Sequence, residues 1–154
     1  MACELSIEEL ITGLNNFVIN TLDLAVSMDI AIESYDRETL VLSAPLEKNI
    51  NDKNTAFGGS LYVLNVMTCW GMVYMKCREG GIEIPNIVVS HAEIDYLAPV
   101  PDKKIIASCT ISDDFDGFIE YYYGNGRSRV RLQSSVVTAG KTAVLFKGKY
   151  AVIE

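Results

Sequence analysis

Residues 55 to 76 carry apolar side chains on nearly every face, among them Leu61, Val63, Leu64, Val66, Met67, Trp70, Met72, Val73 and Met75. As a helix of about 33 Å at 1.5 Å per residue, this segment has little polar face to offer water, so the rest of the chain must wrap it. Gly58, Gly59, Asn65 and Gly71 interrupt the run, which makes it a core helix and not a membrane span. After the turn "REGGIEIPN" only strands are expected, at about 86–98, 103–112, 117–123, 128–138 and 142–152. The breaks "PVPD", "DDFDG", "YGNGR" and "AGK" are rich in turn residues. Connections this short force neighbouring strands antiparallel. One long buried helix followed by an antiparallel meander is an α+β fold, a curved sheet wrapped around a central helix.

The upstream segment supplies the remaining layer. Ser6 followed by Glu9 forms a capping box that opens an amphipathic helix through about Asn20. Two strands, 28–34 and 39–44, flank the turn "SYDRET", and a polar loop covers 46–54. No repeat, low-complexity tract or linker divides the 154 residues, so they read as one domain, 1–154.

Composition excludes several classes of function. With 49% hydrophobic and 21% charged residues, the chain is an ordinary globular one and not a disordered one. "MACELSIEEL" carries acids where a signal peptide has basic residues, which points to the cytoplasm. Cys3, Cys69, Cys77 and Cys109 show no CxxC spacing, and one histidine cannot complete a usual zinc set with them. No metal and no resident cofactor are expected, and the thiols read as reduced. The net charge of −7 argues against nucleic acid. The charge is uneven, however: between Tyr121 and Ile153 there are six basic residues and no acid. Arg127, Arg129 and Arg131 alternate and so form a ladder on one strand face, either a solvated face or a site for a phosphate-bearing ligand.

The glycine pair at the start of the helix calls for a reason. Inside a helix each glycine costs about 1 kcal/mol relative to alanine. A bare backbone there leaves N–H groups open and lets a ligand approach without a Cβ in its way. Those groups, at the positive end of the helix dipole, suit a carbonyl that develops negative charge. The alternative is that Gly58 and Gly59 only allow close packing of helix on sheet.

The segment Asn51 to Gly59 resembles the hotdog acyl-CoA thioesterases, many of which carry an asparagine, a glycine three residues on, then His-Gly-Gly or Phe-Gly-Gly. Here Asn51 matches the asparagine, Asn54 stands where glycine is usual, and Phe57-Gly58-Gly59 matches the Phe-Gly-Gly version. Asparagine tolerates positive φ, so the departure at Asn54 is mild. "APLEKNIN", "TAFGGSLY", "WGMV" and "HAEIDYLAPV", in that order, are most like the thioesterase domain that also occurs fused behind an acetyltransferase domain in some bacterial proteins. The similarity runs over roughly residues 10 to 152.

The resemblance implies a hotdog fold, a homodimer or larger homo-oligomer, and hydrolysis of an acyl-CoA or acyl-carrier thioester, with coenzyme A entering only as part of substrate or product. It also implies a carboxylate on the helix two turns past the glycines. That position is Val66, and no acid lies between Lys53 and Glu79. Phe57 likewise excludes the histidine that hotdog dehydratases need. The polar groups left are a helix stripe of Asn65, Thr68 and Cys69 and the strand face His91, Glu93 and Asp95. Of these His91 alone has an ordinary pKa near neutrality, which suits a general base reaching across a dimer interface. Asn65 and Thr68 could orient water or serve as satisfied core groups. Asn51, Thr55, Phe57 and Ser60 would position substrate or water, although Thr55 could equally be the helix N-cap. The arginine ladder would take the coenzyme A phosphates. A non-catalytic acyl-thioester sensor with the same pocket stays open, since a base is missing.

Overall fold

In the computed structural model, residues 4–154 are described. Cys3 lies outside them. Helix α1 spans Ile7–Thr21 and opens on the expected capping box: the Ser6 hydroxyl accepts the Glu9 N–H at 3.1 Å, and the Glu9 carboxylate accepts the Ser6 N–H at 2.9 Å. A five-residue helix α2, Asp23–Ser27, follows. Strands β1 (Ala31–Tyr35) and β2 (Thr39–Pro45) come next. The first strand starts three residues later than the sequence suggests, because Asp29, with φ of 60°, closes the end of α2. A single 3-10 turn at Leu46–Lys48 interrupts the polar loop. The central helix α3 is Gly58–Glu79, 22 residues.

Strands β3 (Asn86–Tyr96) and β4 (Lys104–Thr110) follow α3. Residues 117–123, expected as a strand, instead form helix α4, Phe118–Asn125. Gly117 and Gly126 flank it, both in the left-handed region with φ of 72° and 74°. The run "FIEYYY" has the aromatic, β-branched content of a strand. Helical winding, however, buries Phe118 and packs Ile119 and Tyr122 against the core, a spacing of one turn. Strands β5 (Arg127–Thr138) and β6 (Lys141–Ile153) close the chain through a two-residue hairpin. Its Ala139 and Gly140 both take positive φ, as such a turn requires.

The six strands form one curved antiparallel sheet in the order β1-β2-β4-β5-β6-β3. The long helix α3 lies across it, touching β2, β3, β4, β5 and β6. Inward residues of β5 and β6, including Val130, Leu132, Val136, Val144, Phe146 and Tyr150, meet Leu64, Cys69, Met72, Val73 and Met75 of α3 in one core. Fully burying each large apolar side chain contributes about 1.5–3 kcal/mol. From the other side α1 covers the later turns of α3, with Phe17 stacked on Trp70 at 5.2 Å and Trp70 on Tyr74 at 5.7 Å. The first turns of α3 receive no such cover: Tyr62, Val63 and Val66 stay half-buried.

Candidate active site

The approach to α3 is a loop held from within by one side chain. The Asn51 oxygen accepts the N–H groups of Lys53 at 2.8 Å and Thr55 at 3.1 Å. Its amide nitrogen donates to the Thr55 hydroxyl at 2.9 Å and the Ala56 carbonyl at 3.4 Å. Four bonds exhaust an asparagine amide, so Asn51 shapes the loop and has nothing free to offer a substrate. Asn54 takes φ of 62°, the left-handed conformation for which it replaces glycine. The loop is docked on both sides: Ala56 N–H donates to the Val100 carbonyl at 2.8 Å and Phe57 N–H to the Asn49 carbonyl at 2.7 Å. Buried Asn49 in turn donates to the carbonyls of Pro45 and Met28 at 2.8 and 3.0 Å.

That anchoring sets the start of the helix at Gly58, and the N-cap residue is Phe57, extended at φ −66° and ψ 134°. Thr55 is therefore not the cap, since its hydroxyl and N–H are engaged with Asn51. A phenylalanine has no side-chain acceptor, and α3 has no side-chain cap at all. The first intrahelical bond runs from Leu61 N–H to the Phe57 carbonyl at 3.0 Å. Among the described residues the N–H groups of Gly58, Gly59 and Ser60 have no acceptor.

The packing explanation for the glycine pair can be checked directly. A Cβ on Gly58 would lie 3.6 Å from the Tyr96 ring, an ordinary contact. A Cβ on Gly59 would have as its nearest neighbour, at 2.6 Å, the ring of Phe57, which is 55% exposed and so not wedged in the core. Neither glycine faces the body of the sheet. Gly71 is a true packing glycine by contrast, where a Cβ would stand 2.7 Å from Leu40 and 3.3 Å from Leu14. The open end is rimmed by exposed apolar side chains, Ile50, Phe57, Tyr96 and Leu97. The Tyr96 hydroxyl donates to the Gly58 carbonyl at 2.8 Å. Sequence reasoning passed over Tyr96 in favour of its titratable neighbours, although strand alternation already set it opposite His91.

The other candidate residues lie elsewhere. Asn65 and Thr68 are fully buried against the sheet: Asn65 donates to the Leu61 carbonyl at 2.7 Å and accepts from Ser134 at 2.8 Å, and Thr68 donates to the Leu64 carbonyl at 2.7 Å. Both are satisfied core groups. Cys69 and Cys109 are also buried and unpaired in any disulfide, and burial pushes the Cys77 thiol up to about 12. His91, Glu93 and Asp95 do share a face, but it is the outer one. Ala92 and Ile94 point to the core, while His91 is exposed and bonded to Glu93 at 3.0 Å. That bond holds the Glu93 carboxyl below its usual range. A bulge at Ser90 resets the alternation on the N-terminal side.

The arginine ladder exists as expected, with Arg127, Arg129 and Arg131 exposed and the intervening Ser128, Val130 and Leu132 buried. Ser134, on the buried side, bonds to Asn65 of α3. The arginines consequently point away from α3, next to Lys149 and His91 in the cross-strand register. The sheet separates them from the glycine pair of the same protomer.

The family described as "Putative thioesterase (yiiD_Cterm)" matches residues 11–154. The chain belongs to this thioesterase family. A protein of unknown function from Chlorobaculum tepidum TLS superposes with a TM-score of 0.91 at 38% identity, over 98% of each chain. The structure described as a putative thioesterase from Shewanella oneidensis superposes at 0.85 with 30% identity, over 96% of this chain and 99% of that one. The PaaI protein of E. coli, from a phenylacetic acid degradation operon, shares the fold at a TM-score of 0.67 and 18% identity, over 97% of each chain. The fold is hence common to proteins with very different sequences.

Proposed function

We propose that this thioesterase hydrolyses an acyl-CoA or acyl-carrier thioester at the N-terminus of α3. The supporting observation is the uncapped helix start, where the N–H groups of Gly58, Gly59 and Ser60 lack acceptors among the described residues and neither glycine has a Cβ. A thioester carbonyl set against these donors gains at its oxygen as a solvent water adds to carbon, its proton passing to bulk water, and the oxygen becomes anionic. Collapse of that intermediate expels a thiolate, which leaves without needing an acid. The apolar rim of Ile50, Phe57, Tyr96 and Leu97 suits an acyl or pantetheine chain.

The site is completed between two copies. Strand β3 is an edge of 11 residues with Val88 and Val89 exposed, and the first turns of α3 are only half-covered. Long apolar edges invite pairing, and a homodimer through β3 would cover both. An antiparallel pairing would continue the outer face of one sheet into the other, so His91 would remain away from either glycine pair. A sensor reading draws on one observation: Val66, seven residues after Gly59 on the same face, holds no carboxylate. The deciding experiment incubates the protein with acyl-CoA thioesters of graded chain length and follows free thiol. Catalytic release is expected; saturable binding without release would establish the sensor.

A further inference from the structure

We infer that Tyr96 is a positioning residue for the oxyanion contact, holding the Gly58–Gly59 peptide so that the Gly59 N–H faces the substrate carbonyl. The inference rests on the proposed thioester hydrolysis and adds a residue to it. Tyr96 is the last residue of β3, and its partner in register is the buried Val144, which sets its ring on the α3 side of the sheet. The hydroxyl donates to the Gly58 carbonyl at 2.8 Å, and the ring lies 3.6 Å from where a Gly58 Cβ would be.

The carbonyl of Gly58 and the N–H of Gly59 belong to one trans-planar unit and point in opposite directions. Fixing the oxygen therefore fixes the direction of the hydrogen. Within the helix this oxygen also faces the N–H of Tyr62, one turn on. A second donor from Tyr96 polarises the same peptide further, which makes its N–H a better donor. The need for such a strut is local. Gly58 and Gly59 are the least restrained residues for a first helical turn, and no side chain caps that turn. A tether from the sheet supplies the rigidity that the glycines give up. Partial burial raises the phenol's pKa, so the hydroxyl keeps its proton and acts as a donor throughout the neutral range.

The test is Tyr96→Phe, which keeps the ring against Gly58 and removes only the hydroxyl. Wild type and variant are assayed on acyl-CoA thioesters of several chain lengths, with folded fraction and melting temperature measured on the same preparations. The expected result is a kcat lower by about tenfold, less than the 100- to 1,000-fold that follows loss of an oxyanion donor itself. KM and melting temperature should stay unchanged, and the loss should be the same for every chain length, since the carbonyl is common to all. A variant within twofold of wild type overturns the inference, as does a loss that varies with chain length or appears only in KM. A wild type that releases no thiol from any thioester overturns the hydrolytic reading, and this role with it.

Discussion

The two ends of α3 are built in opposite ways. At the C-terminal end, the Glu79 carboxylate accepts the Tyr35 hydroxyl at 2.5 Å and the Lys76 ammonium at 3.1 Å, with Arg37 at 3.5 Å. Lys76 also bonds the Arg37 carbonyl, and Tyr123 of α4 donates to the Gly80 carbonyl at 2.8 Å. Basic residues beside the last carbonyls complement the helix dipole. The N-terminal end has a phenylalanine as its cap residue, two glycines and, among the described residues, no side chain that accepts from its first N–H groups. Leaving such a cap unfilled costs about 0.5–2 kcal/mol. The chain thus satisfies the end that needs cations and leaves open the end that attracts anions. An end left bare beside so well tied a partner end is what the proposed binding role requires.

The largest effect that would break this contrast is expected from Gly59→Val. The new side chain first meets the exposed Phe57 ring and stands at the bare N–H groups. Blocking the donors should reduce turnover by about 100- to 1,000-fold, or 2.7–4 kcal/mol. The melting temperature should hold, because valine is a better helix residue than glycine. A destabilised variant whose folded fraction turns over normally would return the glycines to a packing role.

The complementary variant, at the tied end, is Glu79→Gln. Removing the charge that Lys76 and Arg37 share should lower stability by about 1–3 kcal/mol. The melting temperature would fall by roughly 2–4 °C for each kcal/mol, with turnover per folded molecule unchanged. Equal damage to activity would show that the two ends are coupled.

The smallest effect is expected at neither end, in the pair formed by Glu33 of β1 and Lys104 of β4. The Lys104 ammonium at 2.6 Å, helped by the Ser43 hydroxyl at 2.6 Å, holds the Glu33 carboxyl below its ordinary value. A depressed carboxylate pKa contributes stability above its unfolded pKa of about 4.3, and that contribution fades as pH falls through the folded value. Because the pair is largely solvent-exposed, Lys104→Gln should remove no more than about 1 kcal/mol at neutral pH. It should also flatten the acid limb of the stability curve, as followed by denaturant titration. An unchanged acid limb would show that the pair contributes nothing.

Much of the fold was legible in the residues themselves. The capping box at Ser6 and Glu9, the long apolar helix and the alternating β5 all follow from local rules. Asn54 takes the positive φ that its place in the loop demanded. What was not legible depended on tertiary direction. Alternation put His91 and the arginines each on one face, but only the sheet's attachment to α3 through Ser134 and Asn65 tells which face is inside. The polar stripe on α3 was real, and it faces the sheet. Thr55 looked like an N-cap until the bonds to Asn51 moved the helix start to Gly58. At 117–123, aromatic content outweighed a helical spacing that only the two left-handed glycines make plain.

The proposed site requires contact between the open backbone donors of α3 and the carbonyl of the substrate. The most direct measurement is an amide ¹H–¹⁵N NMR titration with a ketone analogue of acyl-CoA in which CH₂ replaces the thioester sulfur. If the proposed contact forms, the Gly58, Gly59 and Ser60 N–H resonances should move downfield on saturation and lead every other amide in size of shift. Saturable binding that leaves these three in place while amides elsewhere move would contradict it.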